Sequence, residues 1–335
     1  MKLVVTIPAY NEEKTIGKVI REIKECIEIR KYCDDVKVLV INDGSTDNTV
    51  EEAKKAGADK IISFRKNRGL ARAFKAGLET ALEMGADIIV NIDADGQYNP
   101  KEIPKLIKPI LDGKADIVLG SRFKGWIEYM PIQKRIGNRI ATWVTRLASG
   151  IPISDAQTGF RAFSREAALR LNVLADYTYV QETIIQAAKM GLKIEEVPIE
   201  FRKRRGNGKS RLISNIFSYA KRAGLTILRT YRDYHPLKTF LYIGLFLLLV
   251  GAVIGLRVLY HYIQTGMVGF YLPSAILSVA LIIIGFQTIV LGLLADMLKT
   301  QRQILDDILY RLKKMECEYK SDSNLSQSQR KVKNQ

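Results

Sequence analysis

Cysteine is scarce in this chain, and its scarcity excludes two architectures at once. Cys26, Cys33 and Cys317 form neither a CxxC pair nor an even framework, so neither a thiolate zinc site nor a disulfide scaffold is indicated. The first residues, Met1-Lys2-Leu3-Val4-Val5, lead straight into a strand-like stretch. They lack the long apolar core and small-residue cleavage site of a secretory signal. On that reading the large N-terminal part of the chain stays in the cytoplasm. Acidic residues are in deficit, with 35 Asp and Glu against 52 Lys and Arg, a formal net charge of +17. Such an imbalance calls for anionic partners, and lipid headgroups, nucleoside diphosphates and nucleic acid all qualify. No aromatic platform is interleaved with the cations and no recognition-helix pattern appears, which sets nucleic acid aside.

Charge is missing altogether from residues 272–294, and residues 237–256 carry only Lys238. At about 1.5 Å per helical residue, each run matches a hydrocarbon core of roughly 30 Å. Neither has the polar face of a helix at a protein surface, so two spans through a lipid bilayer are expected. The stretch between them, 258–271, holds no Lys or Arg. Lys221, Arg222, Arg229, Arg232 and Lys238 precede the hairpin, and Lys299 and Arg302 follow it. The positive-inside rule then puts both ends in the cytoplasm of a two-span cell-membrane protein. Beyond the second span, Leu298, Ile304, Leu305, Ile308, Leu309 and Leu312 share one helical face, suited to packing on a neighbouring subunit or on the N-terminal domain. A homo-oligomer is a reasonable expectation from that stripe. Residues 320–335 are polar and have the composition of a disordered tail. The chain thus divides into a domain over 1–230, whose portion 203–230 is a juxtamembrane basic loop and helix, a hairpin over 231–296, and an amphipathic helix with its tail over 297–335.

Within the first domain, short β-branched runs at 3–7, 36–41, 88–92 and 117–119 alternate with helix-periodic stretches at 15–26, 49–56, 70–84 and 100–111. That alternation predicts an α/β fold with a mainly parallel sheet, whose ligands sit beyond the carboxyl ends of the strands. Polar clusters follow each run. One reads Asn91-Ile92-Asp93-Ala94-Asp95-Gly96-Gln97. Two carboxylates one residue apart at a strand end repel each other unless a cation lies near them, and a hard divalent ion shared with substrate phosphates resolves the repulsion. Taken alone, the same pattern also suits an ordinary solvated turn.

The other clusters supply context. The first run ends in Ile7-Pro8-Ala9-Tyr10-Asn11-Glu12-Glu13, the second in Asn42-Asp43-Gly44-Ser45-Thr46-Asp47, and Asn67-Arg68-Gly69-Leu70-Ala71 lies between the second and the carboxylate pair. Together, in this order, they resemble a family-2 glycosyltransferase with the GT-A fold, over roughly residues 1 to 230. The resemblance implies that Pro8, Ala9, Tyr10, Glu12 and Asp43 line the nucleoside of a nucleotide-sugar donor. It implies that Asp93 lies beside the ribose, and that Asp95, assisted by Gln97, holds Mg²⁺ or Mn²⁺ on the diphosphate. Many members carry a second Asp where this chain has Asn42.

Farther along, Gly120-Ser121-Arg122 and the group Lys134, Arg135, Asn138 and Arg139 resemble the acceptor-phosphate site of dolichyl-phosphate sugar synthases. A phosphomonoester approaching a diphosphate needs cationic forks to offset the repulsion, although a solvated basic face has the same composition. Asp155-Ala156-Gln157-Thr158-Gly159-Phe160-Arg161 resembles the segment that closes the acceptor side, and Glu182 occupies a position that faces acceptors in related enzymes. The cation-rich stretch 201–212, with Arg204, Arg205 and Lys209, resembles a loop that closes over the donor diphosphate. It equally suits anionic headgroups.

The expected activity is inverting transfer of a sugar from a UDP- or GDP-sugar to a polyprenyl (dolichyl) phosphate, with Asp95, Arg122 and Glu182 as the catalytic set. A lipid phosphate is already ionised near neutral pH, so Glu182 would orient it, whereas a sugar hydroxyl acceptor would need a base. Two alternatives stand beside this: a transferase extending a lipid-linked glycan or polysaccharide, and a non-catalytic membrane scaffold that binds nucleotide sugars. The Arg/Gln-x-x-Arg-Trp segment of processive synthases is missing; the two tryptophans are Trp126 and Trp143.

Overall fold

The structure, a computed structural model, describes residues 1–173, 179–204 and 236–333, without the side chains of 236, 299, 302–303 and 320–333. Seven strands form one sheet in the order β3-β2-β1-β4-β6-β5-β7. They are β1 Lys2–Ala9, β2 Asp35–Asn42, β3 Lys60–Ser63, β4 Ile88–Asn91, β5 Ile117–Ile127, β6 Arg161–Ser164 and β7 Ile194–Phe201. Strands β1 to β4 run parallel, β6 is antiparallel to both β4 and β5, and β7 is parallel to β5. The expected mainly parallel sheet is therefore present, interrupted by one reversed strand.

Among the described residues of this domain there are eight helices. They are α1 Ile16–Lys24, α2 Ile27–Arg30, α3 Thr49–Lys55, α4 Leu70–Glu83, α5 Ile103–Leu111, α6 Ile132–Ser149, α7 Arg165–Arg170 and α8 Val180–Lys189. The central strands β1 and β2 are buried along most of their length, as unbroken apolar runs require when helices cover both faces. Two apolar layers result. One packs Ile16, Ile20, Ile23 and Leu106 against Val5, Ile7 and Val40; the other packs Phe74, Leu78, Ile184 and Tyr179 against Val4, Leu39 and Ile89. The sequence pattern omits β3, β6 and β7. The first two hold only two apolar residues each, and β7 sets three glutamates among its apolar residues at the sheet edge.

Two long helices follow, α9 Pro236–Thr265 and α10 Leu272–Lys333. The stretches Leu237–Thr265 and Gly269–Leu298 each have a mean hydropathy of 2.5 and are largely exposed, so both are long and apolar enough to cross a membrane. They pack through small residues. Gly244, Gly251 and Ser278, Gly285, Gly292 recur every seven positions on the two helices. A Cβ on Gly244 would stand 2.5 Å from Ile289, one on Gly292 2.7 Å from Phe240, and Ser278 Oγ donates to the Gly251 carbonyl at 2.7 Å. Such close approach is the usual way of holding helices together where lipid surrounds them.

The described residues fall into two compact units, the sheet domain together with α10 from Ile308 onward, and the hairpin as far as Asp307. Helix α10 continues to Lys333, so the polar stretch after residue 320 is helical and not the disordered tail that composition suggests; Lys, Glu, Gln and Arg are good helix formers. Within the sheet domain, Tyr310 donates to Glu166 on α7 at 3.2 Å and lies under Arg170. Lys313 Nζ bonds the Leu171 carbonyl at 3.1 Å, and Cys317 packs on the same core layer.

Candidate active site

The polar clusters converge at the carboxyl ends of β1, β2 and β4. Pro8 and Ala9 are buried strand residues paired with Ile41 and Asn42, so any contact they make with a ligand runs through backbone; Tyr10 follows, half-buried. Asn11 holds the turn in the left-handed region, φ 55°, and its side-chain oxygen accepts from Thr46 N at 2.9 Å. The Asp43 carboxylate accepts Arg68 N at 2.7 Å and Gly69 N at 3.0 Å, tying the 67–71 segment to the end of β2. Gly44 has φ +72° and a Cβ there would fall 2.4 Å from Lys66 backbone, so this approach needs glycine. Asn42 is buried, accepts Ser45 N at 2.9 Å and donates to Ser63 Oγ at 3.3 Å. Its amide braces the turn and β3, a task in which a carboxylate could not donate.

At the end of β4 the pair is set. Asp93 and Asp95 are half-buried, and burial together with the Asp95 charge pushes the Asp93 carboxyl up to about 7. Burial also raises Asp95, against the Gln97 N–H, which bonds its Oδ1 at 3.1 Å, and the Arg204 guanidinium, whose Nε lies 3.8 Å from Oδ2. Gln97 itself donates to the Arg202 carbonyl at 3.2 Å. Arg204 also pairs with Glu12, whose carboxyl burial pushes upward and to which Thr15 donates at 3.0 Å. Lys134, on the inner side of α6, feels both carboxylates; burial lowers its pKa, and its ammonium makes no ion pair among the described residues. Arg135 is exposed one residue on, and Asn138 Nδ2 bonds Met130 Sδ at 3.8 Å.

Arg122 stands differently from the expected acceptor ligand. Its Nε and Nη2 bond the two oxygens of Asp155 at 2.7 and 2.8 Å, both side chains are buried, and the guanidinium lies over Phe201. The fork is committed to Asp155 while its charge still reaches Asp93. The 155–161 segment forms a wall of the site. A Cβ on Gly159 would stand 2.7 Å from both Asp93 oxygens, so only glycine allows this approach. Arg161 is fully buried and holds the segment to α8 through the carbonyls of Ala156, Thr158 and Val180 at 2.8–2.9 Å. Gln157 Nε2 is buried with no hydrogen-bond partner among the described residues. Glu182 accepts from Gln186 on its own helix at 3.1 Å. Arg205 and Lys209 lie outside the described residues.

Residues missed from sequence are Tyr98 and Tyr179. Tyr98 accepts Gly159 N at 3.0 Å, its hydroxyl pushed by burial to about 12; Tyr179 accepts from Asn91 at 3.0 Å and stacks on Phe74. Aromatics at helical or strand spacing read as core, and nothing local marks their hydroxyls.

The other face of α6 is unusual. Ile132, Ile136, Ile140, Trp143 and Leu147 form one stripe, exposed from 41% at Ile140 to 76% at Ile132, with Trp126 and Tyr129 also exposed. The exposed Arg135, Arg139 and Arg146 flank the stripe, and Gly137, Ala141 and Val144 pack inward.

Residues 4–171 match the glycosyl transferase family 2 model, and 215–299 match the glycosyltransferase family 2 C-terminal transmembrane region. The chain is 36% identical over 218 residues to a UDP-N-acetylglucosamine–dolichyl-phosphate N-acetylglucosaminyltransferase of Methanococcus voltae, covering 58% of this chain and 83% of that one. It is 33% identical over 208 residues to a dolichyl-phosphate hexose transferase of Haloferax volcanii, covering 62% and 86%. Among solved structures, glucosyl-3-phosphoglycerate synthase from Mycobacterium tuberculosis with Mn²⁺, UDP and glucosyl-3-phosphoglycerate aligns with TM-score 0.52 at 23% identity, over 70% of this chain and 79% of that one, which shows the shared fold. A GT-A-type sheet ending in a carboxylate pair, followed by two apolar helices and matched by both family models, makes this chain a membrane member of glycosyl transferase family 2.

Proposed function

We propose that the enzyme transfers a sugar from a UDP- or GDP-sugar to a polyprenyl phosphate at the cytoplasmic surface of the membrane. One observation carries the reading: α6 turns Lys134 toward Asp93 and Asp95 while its opposite face is apolar and lined by arginines. An amphipathic helix of this kind suits an anionic bilayer surface, and it brings a cation for a lipid phosphate to the sugar-transfer site. The relatives named for dolichyl phosphate support the acceptor class.

The donor set fits a divalent cation. Two carboxylates one residue apart, with Asp93 raised to about 7 by burial first and by the Asp95 charge second, are hard ligands whose repulsion Mg²⁺ or Mn²⁺ would relieve. Asp95 would hold the ion and Asp93 would face the ribose. When bound, the ion would neutralise charge on the departing diphosphate. Arg204, paired with Glu12 and near Asp95, would meet the same phosphates. Lys134 and Arg135 would present the acceptor phosphate, whose ionised oxygen attacks the anomeric carbon in line as the bond to the nucleoside diphosphate breaks. Configuration inverts, and no proton needs removal. Arg122, fixed by Asp155, positions the wall, and Glu182 orients the acceptor.

The test is incubation of the purified protein with Mg²⁺ or Mn²⁺, labelled UDP- and GDP-sugars and a polyprenyl phosphate, with Asp95→Ala as control. Label entering the organic phase as a mild-acid-labile lipid, and lost in the variant, is the expected result. Transfer only to a glycan-bearing lipid would overturn the acceptor assignment.

A further inference from the structure

Helix α10 presents two faces beyond Leu298. The face carrying Tyr310, Lys313 and Cys317 lies on the sheet domain. The other carries Leu298, Leu305, Leu312 and Tyr319 at seven-residue intervals, with Ile308 and Met315 three residues after the second and third. All six side chains are exposed, between 48% and 77%. From Ile308 onward, where α10 docks on the domain, Ile308, Leu312, Met315 and Tyr319 stay exposed.

We propose that residues 298–319 form a parallel coiled coil with the same segment of a second copy of the chain. Leu298, Leu305, Leu312 and Tyr319 take the first core position of successive heptads, and Gln301, Ile308 and Met315 the fourth. The residues that dock on the domain then occupy the outward positions of the same repeat, so both contacts are made together. The segment spans about 33 Å at 1.5 Å per residue, and a helix continuing from a span carries most of that length out of the hydrocarbon, so lipid does not cover the seam. Two copies entering from one membrane face lie parallel of necessity. In that orientation Arg311 of one chain faces Glu316 of the other at the flanking positions, which pairs opposite charges. The inference rests on the two apolar helices crossing a membrane, and is independent of donor and acceptor.

Cysteine placement in the full-length, membrane-embedded protein tests it. Oxidation of Leu305→Cys is expected to give a covalent dimer on a non-reducing gel, whereas Lys314→Cys, on the outward side of the repeat, stays at the wild-type background. In mild detergent, light scattering is expected to give a multiple of the 37.8 kDa protomer, falling to one protomer in Leu305→Lys/Leu312→Lys. Absence of the Leu305→Cys cross-link, equal cross-linking at both positions, a monomeric wild type, or an oligomer that survives the double lysine variant would each overturn the proposal. Both leucines are exposed in the protomer, so the lysines leave its fold intact, and an unchanged circular dichroism melting curve of the variant serves as the folding control.

Discussion

Asp93 carries the most informative proton in the molecule. Its carboxyl moves from an ordinary value of 3.8 to about 7 in the folded protein, through burial and the neighbouring Asp95. Between those values the folded chain keeps a proton that the unfolded chain releases. Stability from this group is complete below pH 4 and is lost as pH rises through 7. The metal-free protein is therefore expected to lose thermal stability from pH 5 to pH 8 more steeply than Asp93→Asn, and added Mn²⁺ should restore more at pH 8 than at pH 6. Equal slopes for the two proteins would remove Asp93 as the cause. The Arg122–Asp155 pair makes the opposite kind of claim. Both groups are buried, so Asp155→Ala strands a guanidinium and is expected to cost about 3–5 kcal/mol, read as a lowered thermal midpoint. At this scale the sequence announced Asp93, Asp95 and Lys134, because a carboxylate pair and a basic cluster are local patterns. It did not announce that Arg122 is already partnered: Asp155 lies 33 residues away, and the pairing is made only by the sheet.

Helix α6 shows how far periodicity reads. Its cations are legible as a basic cluster in the sequence, yet the apolar stripe goes unnoticed until the fold shows Ile132, Ile136 and Trp143 exposed among the described residues. Ile136→Asp is expected to slow transfer to a long-chain acceptor in vesicles at least tenfold while sparing a short, water-soluble polyprenyl phosphate. Equal losses with both would mean that the stripe supports folding and not the membrane surface. Strand β5 carries a second such feature. A Cβ on Gly125 would stand 2.0 Å from the Ile199 carbonyl oxygen, so Gly125→Ala should part β5 from β7 and show as loss of folded enzyme recovered in detergent. Four of the seven strands were legible because they are apolar runs; β3 and β6 hold only two apolar residues each, and the apolar residues of β7 are broken up by Glu195, Glu196 and Glu200.

Across the whole molecule, a family-2 glycosyltransferase domain and two bilayer-length helices occur in one chain, and both were visible in composition and in the order of the motifs. The glycine and serine seam between α9 and α10 was not, since small residues carry no hydropathy signal. Gly251→Leu, which would drive a side chain into Leu281 and Ile282, is expected to lower the yield of folded protein from membranes, measured by its elution in detergent. The apolar stripe on α6 has a consequence for kinetics. An enzyme that receives one reactant from water and the other from a two-dimensional film senses the second as a mole fraction. At a fixed total amount of polyprenyl phosphate, diluting the vesicles with inert lipid should slow the reaction, whereas enlarging the aqueous volume at saturating donor should leave it unchanged.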